Sequence, residues 1–225
     1  MQGAGINWIS ESKEKQVKLD VPVIGILRGV EAGFFGEVMR ASFAAGLQAV
    51  EVTMNTAQAE RMVAENRPVV PPGKLLGMGT IRNRDEARRA VDAGAMFLVT
   101  PNLDLEVIEY ARSANLPIVV GALTPSEVCR AWSNGATAVK VFPCRAMGGA
   151  DYIRELRGPF DHIPLVAVGG VTIDNLKDYF AAGTDAVGVG SSLFGGDALK
   201  SRNIEALAGN VRRFISHCVS GENAG

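Results

Sequence analysis

Two charged residues interrupt otherwise apolar, strand-like runs: Lys140 in Ala138-Val139-Lys140-Val141-Phe142-Pro143 and Glu51 in Ala49-Val50-Glu51-Val52-Thr53. Taking a lone ammonium out of water is so costly that its pKa falls instead, and a lysine neutral near physiological pH is a nucleophilic amine. Such an amine forms imines with carbonyl compounds. A carboxylate beside it either moves protons between substrate, amine and water or simply neutralises the charge. Arg28, in Ile24-Gly25-Ile26-Leu27-Arg28-Gly29, adds a candidate anion clamp. Each residue alone has an ordinary explanation, Lys140 as a charge guarding a sheet edge and any pair as a core ion pair.

Two glycine-rich stretches near the end of the chain suit phosphate. Val168-Gly169-Gly170-Val171 and Gly188-Val189-Gly190-Ser191-Ser192 each follow an apolar run. Glycines let exposed backbone N–H groups approach an anion closely, although such turns also occur for steric reasons alone.

These residues need a scaffold that brings them together. Eight short β-rich runs occur, at 22–30, 49–54, 75–80, 97–101, 118–123, 138–143, 165–171 and 186–191. Between them lie segments of helical periodicity such as 34–45, 84–93, 105–114 and 173–182, with Asn83, Asp104, Thr124 and Thr172 as candidate N-caps. A weak repeat marks four joins: Ala45-Gly46, Ala93-Gly94, Asn134-Gly135 and Ala182-Gly183 each read as a helix closed by a left-handed glycine before a buried strand. Eight strand–helix units predict a closed (β/α)8 TIM barrel, an α/β fold, with an open doubly wound sheet as the alternative. A closed barrel has no free edge, which removes the gatekeeper explanation of Lys140. It also gathers Arg28, Glu51 and Lys140 at one end, where barrel active sites form.

The predicted barrel domain spans 21–219. Residues 1–20 form an N-terminal extension, read as a helix plugging the barrel's lower end or as a frayed arm, and 220–225 form a disordered tail. With 225 residues and a net charge of −1, no basic excess exists to hold nucleic acid. No run of 18 apolar residues suggests a membrane span, so a cytoplasmic protein is expected. Cys129, Cys144 and Cys218 lack CxxC spacing and only His162 and His217 accompany them, which argues against a metal cluster. Cys144 follows the Lys140 run and reads best as a small packed thiol.

The ordered pieces Ile26-Leu27-Arg28-Gly29, Val50-Glu51-Val52-Thr53, Gly77-Met78-Gly79-Thr80, Thr100-Pro101-Asn102, Lys140-Val141-Phe142-Pro143, Val168-Gly169-Gly170-Val171 and Gly190-Ser191 carry a resemblance. Together the chain resembles the class I aldolases acting on 2-keto-3-deoxy-6-phosphogluconate, its galactonate epimer and 4-hydroxy-2-oxoglutarate. The resemblance implies Lys140 as the Schiff-base lysine and Glu51 as the proton shuttle. It implies Thr80, Pro101 and Phe142 at the pyruvate end, Gly169, Gly170, Gly190 and Ser191 at the phosphate, no metal or cofactor, and a homotrimer.

Two departures point to the phosphogalactonate branch. Asn55 stands where the phosphogluconate enzymes carry a carboxylate-binding arginine, leaving Arg28 as the candidate for that charge. Val168 stands where they carry threonine; a hydroxyl there reads the C4 stereocentre and valine cannot, so discrimination between epimers should relax. The expected reaction releases pyruvate and glyceraldehyde 3-phosphate. The alternatives are hydroxy-oxoglutarate cleavage, a non-covalent phosphate-binding isomerase or synthase, and a noncatalytic binding barrel.

Overall fold

A computed structural model describes residues 7–9 and 16–219. Eight parallel strands close on themselves: β1 (Val23–Leu27), β2 (Ala49–Thr53), β3 (Leu75–Gly79), β4 (Leu98–Val99), β5 (Ile118–Ala122), β6 (Ala138–Val141), β7 (Leu165–Val168) and β8 (Ala186–Val189). Each pairs with its sequence neighbours, and β8 pairs back onto β1 through Val187 and Val23. This is the (β/α)8 barrel. The outer layer comprises α1 (Ala32–Ala44), α2 (Ala59–Asn66), α3 (Arg84–Asp92), α4 (Leu105–Ser113), α5 (Pro125–Ser133), α6 (Ala150–Arg157) and α7 (Leu176–Ala181). After β8 come two short helices, α8 (Ser191–Phe194) and α9 (Gly196–Lys200), then α10 (Ile204–Val219), which packs against α1.

Strand residues alternate between two apolar clusters because successive side chains point to opposite faces. Val50, Val52, Leu76, Val139 and Val187 join the layer between barrel and helices. Ile24, Ala49, Leu75, Phe97, Val119, Ala138, Val166 and Ala186 fill the interior. All eight of these lie near the starts of their strands, so the lower barrel is a packed apolar plug.

The four glycine joins share one geometry. Gly46, Gly94, Gly135 and Gly183 adopt φ of 106°, 90°, 98° and 96°, as a left-handed helix stop requires. In each, the next residue's N–H reaches back five residues: Leu47 to Ser42, Ala95 to Ala90, Ala136 to Ala131 and Thr184 to Tyr179. That bond and the glycine's own bond to the third residue back satisfy carbonyls the helix would leave orphaned.

Helix starts follow the expected caps in three cases. The Asn83 side chain accepts from Glu86 N, Asp104 accepts from Glu106 N and Val107 N, and Thr124 forms a capping box with Glu127. Thr172 does not cap a helix. Its own N–H donates to Asn175 Oδ1 at 2.8 Å, which keeps the chain in a loop, and α7 starts at Leu176 instead of Ile173.

The N-terminal extension also differs from expectation. Asn7–Ile9 and Gln16–Lys18 are short antiparallel strands, with Trp8 opposite Val17, in place of the helix or frayed arm expected there. Trp8, Ile9 and Val17 are residue types that favour extended backbone. The interior is closed below by Leu19, 1% exposed within the same cluster as Ile24 and Ala49. The tail at 220–225 lies outside the described residues.

Candidate active site

The strand alternation that sends Ala49 and Ala138 inward sends Glu51 and Lys140 inward too, two residues higher and immediately above the plug. Both are buried, Glu51 at 1% exposure and Lys140 at 5%. Burial pushes the Glu51 carboxyl up to about 7, against the opposing pull of the positive charges on Lys140 and Arg28. Burial also moves the Lys140 ammonium down; Glu51 pulls it back up, and Arg28 lowers it further. These mutual influences place the three groups in one electrostatic cluster.

Glu51 Oε2 has no hydrogen-bond partner, which is costly for a buried oxygen and leaves it free to accept from substrate or water. Lys140 Nζ lies 4.7 Å from the Phe142 ring centroid, so an aromatic face flanks the amine. Arg28 is exposed, directly after the upper end of β1.

The next elements shape the surrounding wall. Thr80 directly follows β3 with φ 57°, a left-handed conformation that β-branched residues rarely adopt. Pro101 follows β4, and its approach depends on Gly121, where a Cβ would lie 2.3 Å from the Pro101 carbonyl carbon. Gly121 pairs with Lys140 in the β5–β6 ladder. The buried Thr100 hydroxyl pins the same loop, accepting from Gly121 N at 2.9 Å and donating to Asn102 O at 2.7 Å.

The two glycine loops lie side by side. Gly169 and Gly170 adopt φ of 103° and 79°, and a Cβ on Gly169 would sit 3.4 Å from Pro143 Cα, just past the upper end of the Lys140 strand. Gly190 precedes α8, which Ser191 begins with an exposed side chain. Ser192 Oγ donates to Val171 O at 2.7 Å, tying the loop after β8 to the loop after β7. Val168, 6% exposed, points into the interior among the plug residues. Asn55 stands exposed on the turn after β2.

Three residues with supporting roles escaped sequence reasoning. Thr56 is 5% exposed and accepts from Gly29 N at 2.9 Å, with its hydroxyl 2.8 Å from that of Thr53. It thereby fixes the backbone next to Arg28 from the neighbouring loop. Thr100 ties its loop to Gly121 within β5, and Ser192 ties the loop after β8 to the loop after β7. Their only sequence signal is a hydroxyl residue just beyond a strand end. Cys144 behaves as the packed thiol expected: it is buried, donates to Gly149 O at 3.4 Å, and burial holds its thiol at about 11. Among the described residues, no group of three or more His, Cys, Asp or Glu is placed to hold a metal ion.

With that geometry in place, the family model described as KDPG and KHG aldolase matches residues 11–209. The chain belongs to the KDPG and KHG aldolase family. Among its relatives in this family is a probable 2-dehydro-3-deoxy-6-phosphogalactonate aldolase of Rhizobium meliloti (strain 1021). It is 33% identical over 178 residues, covering 78% of this chain and 83% of the relative. A structure described as native KDPGal is 30% identical with a TM-score of 0.84, covering 90% of this chain and 97% of its own. The KDPG aldolase of Legionella pneumophila, with pyruvate captured at low pH as a covalent carbinolamine intermediate, is 25% identical with a TM-score of 0.80. That match covers 85% of this chain and 93% of the other. The barrel is therefore common to this chain and both solved structures. No helix among the described residues is long and apolar enough to cross a membrane.

Proposed function

We propose that this family member is a Schiff-base aldolase that cleaves a 2-keto-3-deoxy-6-phospho sugar acid, of the galactonate or gluconate series, to pyruvate and glyceraldehyde 3-phosphate. The observation that carries this reading is a lysine whose ammonium is destabilised by burial, sharing one barrel interior with a carboxyl held near neutrality. The relative holding pyruvate as a covalent carbinolamine supports the same chemistry.

In this mechanism the neutral Lys140 amine adds to the C2 ketone, and loss of water leaves an iminium. The iminium accepts the electron pair of the C3–C4 bond as that bond breaks. Glu51, in its ionised form, takes the C4 hydroxyl proton directly or through water, and the aldehyde departs. The proton then passes to C3 of the pyruvyl enamine, and hydrolysis of the resulting imine returns the amine and pyruvate. A group titrating near 7 holds and releases a proton with little bias, which suits a shuttle working in both directions.

Arg28 is the charge proposed for the substrate carboxylate, since Asn55 offers none. Thr80, Pro101 and Phe142 would enclose the pyruvyl group. Backbone N–H groups of Gly169, Gly170, Gly190 and Ser191 would hold the phosphate, and Val168 would leave the C4 configuration weakly read. We further read the protein as a cytoplasmic homotrimer, on family likeness; sedimentation equilibrium at a trimer mass would support that, and a monomer mass would remove it.

Borohydride reduction in the presence of pyruvate, followed by peptide mass spectrometry, should find the reduced adduct on Lys140. Folded protein that yields no adduct would end the imine mechanism and favour a non-covalent reaction in the same barrel. Pyruvate release followed through lactate dehydrogenase then distinguishes cleavage from binding alone.

A further inference from the structure

The Glu51 carboxyl group rests on the main chain of Gly79. Gly79 ends β3 and pairs with Thr53 in the β2–β3 ladder, one inward position above the Glu51–Gly77 pair. A Cβ at position 79 would lie 2.4 Å from Glu51 Oε1, 2.5 Å from Cδ and 2.7 Å from Oε2. All three heavy atoms of the carboxyl group therefore occupy the space that any side chain at 79 would need. Non-bonded atoms cannot approach that closely.

The backbone supplies no competing reason for glycine here. Gly79 is not among the glycines with positive φ, and it is an ordinary strand residue. Gly77, the other inward glycine of β3, has a different neighbour: its Cβ would meet the Phe97 ring at 2.4 Å. In open surroundings a glutamate tip would swing away from an added methyl. Glu51 is 1% exposed and walled by packed strands, so any swing relocates the carboxyl relative to Lys140.

We propose that Gly79 is a positioning residue for Glu51: by lacking a side chain it seats the carboxyl on the β3 backbone, unpaired and within the field of Lys140. Its kinetic consequences rest on the proposed aldolase chemistry, whereas its effect on stability does not.

The test compares the parent protein with Gly79→Ala, Glu51→Asp and the double variant. Proton exchange at the pyruvate methyl group is followed by deuterium wash-in, and kcat is followed against pH. Gly79→Ala should slow exchange at least tenfold and displace the limb of the pH profile near 7, while borohydride still traps pyruvate on Lys140. Glu51→Asp draws the carboxyl back by one methylene, so the double variant should exchange faster than Gly79→Ala alone. Exchange by Gly79→Ala within twofold of the parent would overturn the proposal, as would a double variant showing only the product of the two separate losses.

If Gly79→Ala does not accumulate as folded protein, thermal melting in a background without the carboxyl decides the matter. Glu51→Ala and Gly79→Ala/Glu51→Ala should melt together, because the methyl then has room; a lower Tm for the double variant overturns the seat. Gly77→Ala is the control, expected to lower Tm equally with or without the carboxyl. Failure of the parent to trap pyruvate would sink the aldolase reading and leave this melting comparison standing.

Discussion

Replacing Glu51 by glutamine separates what the carboxylate costs the fold from the part proposed for it in the reaction. The group goes from 4.5 to about 7 on burial. At about 1.4 kcal/mol for each tenfold change in proton affinity, that corresponds to about 3 kcal/mol. Between these two pH values the unfolded chain has released the proton while the folded chain keeps it, so this residue's contribution makes stability fall as pH rises from 4.5 to 7. Glutamine is a neutral near-isostere and escapes the penalty. The variant should therefore match the parent near pH 4.5 and exceed it by about 3 kcal/mol at pH 8, measured by urea unfolding at a series of pH values. Lys140 titrates in both proteins. Losing Glu51 lowers its proton affinity further, which trims the gap without reversing it, because burial is the largest influence on both groups. Pyruvate proton exchange should fall by about 10²- to 10⁴-fold in the same variant, the range of a lost general acid–base. A stability difference that stays flat across the pH range would refute the buried, near-neutral carboxyl on which the mechanism depends.

Other substitutions test the surrounding parts. Val168→Thr should raise kcat/KM for the phosphogluconate epimer relative to the phosphogalactonate epimer by severalfold in side-by-side kinetics, and an unchanged ratio removes Val168 from specificity. Ser192→Ala breaks the 2.7 Å tie to Val171 O and should raise KM for the phosphorylated substrate about fivefold while pyruvate exchange stays at the parent rate; equal losses in both would mean the tie supports the whole barrel mouth. Arg157 is 17% exposed and donates at 2.6 Å to both Gly183 O and Ile163 O while paired with Asp185 below the barrel. Arg157→Ala should cost about 2 kcal/mol, seen as a Tm lower by about 4–8 °C with kcat retained, and an unshifted Tm would show the network to be idle.

The fold was legible because each unit announces its own end. A helix that stops at Ala-Gly or Asn-Gly and is followed by a buried apolar run leaves few architectures open, and all four glycines have the left-handed φ that this pattern requires. The amine and carboxylate were legible for a related reason, since a charge in a run such as Ala-Val-Lys-Val has no cheap structural use inside a closed barrel. What stayed hidden depends on contacts between segments distant in sequence. Thr56 matters because Gly29 donates to it from 27 residues away, and Ser192 because Val171 O lies 21 residues back. Thr172 shows the opposite failure. It has the right residue type for a cap, but Asn175 captures its N–H and moves the helix start three residues on.

The division of the barrel interior explains how one small core supports both stability and chemistry. Below the middle, inward positions carry Ile24, Leu75, Phe97, Val119 and Val166, a dry plug sealed underneath by Leu19. One inward step above Ala49, Leu75, Val119, Ala138 and Ala186, strands β2, β3, β5, β6 and β8 present Glu51, Gly77, Gly121, Lys140 and Gly188. Apolar volume removed at that level weakens the core, and two buried charged-type side chains weaken it again. Both losses fall in one layer that rests on a packed floor, so the strands stay rigid where the amine and carboxyl must be held. The low dielectric of that floor contributes to the burial that lowers the lysine and raises the glutamate, so the plug helps set the protonation that the proposed imine chemistry requires. A cavity made in the plug beneath Lys140, by Val166→Ala for example, should therefore admit water. Any water entering there would return the lysine toward its ordinary range and depress imine formation at neutral pH, a change that the pH dependence of borohydride trapping would report.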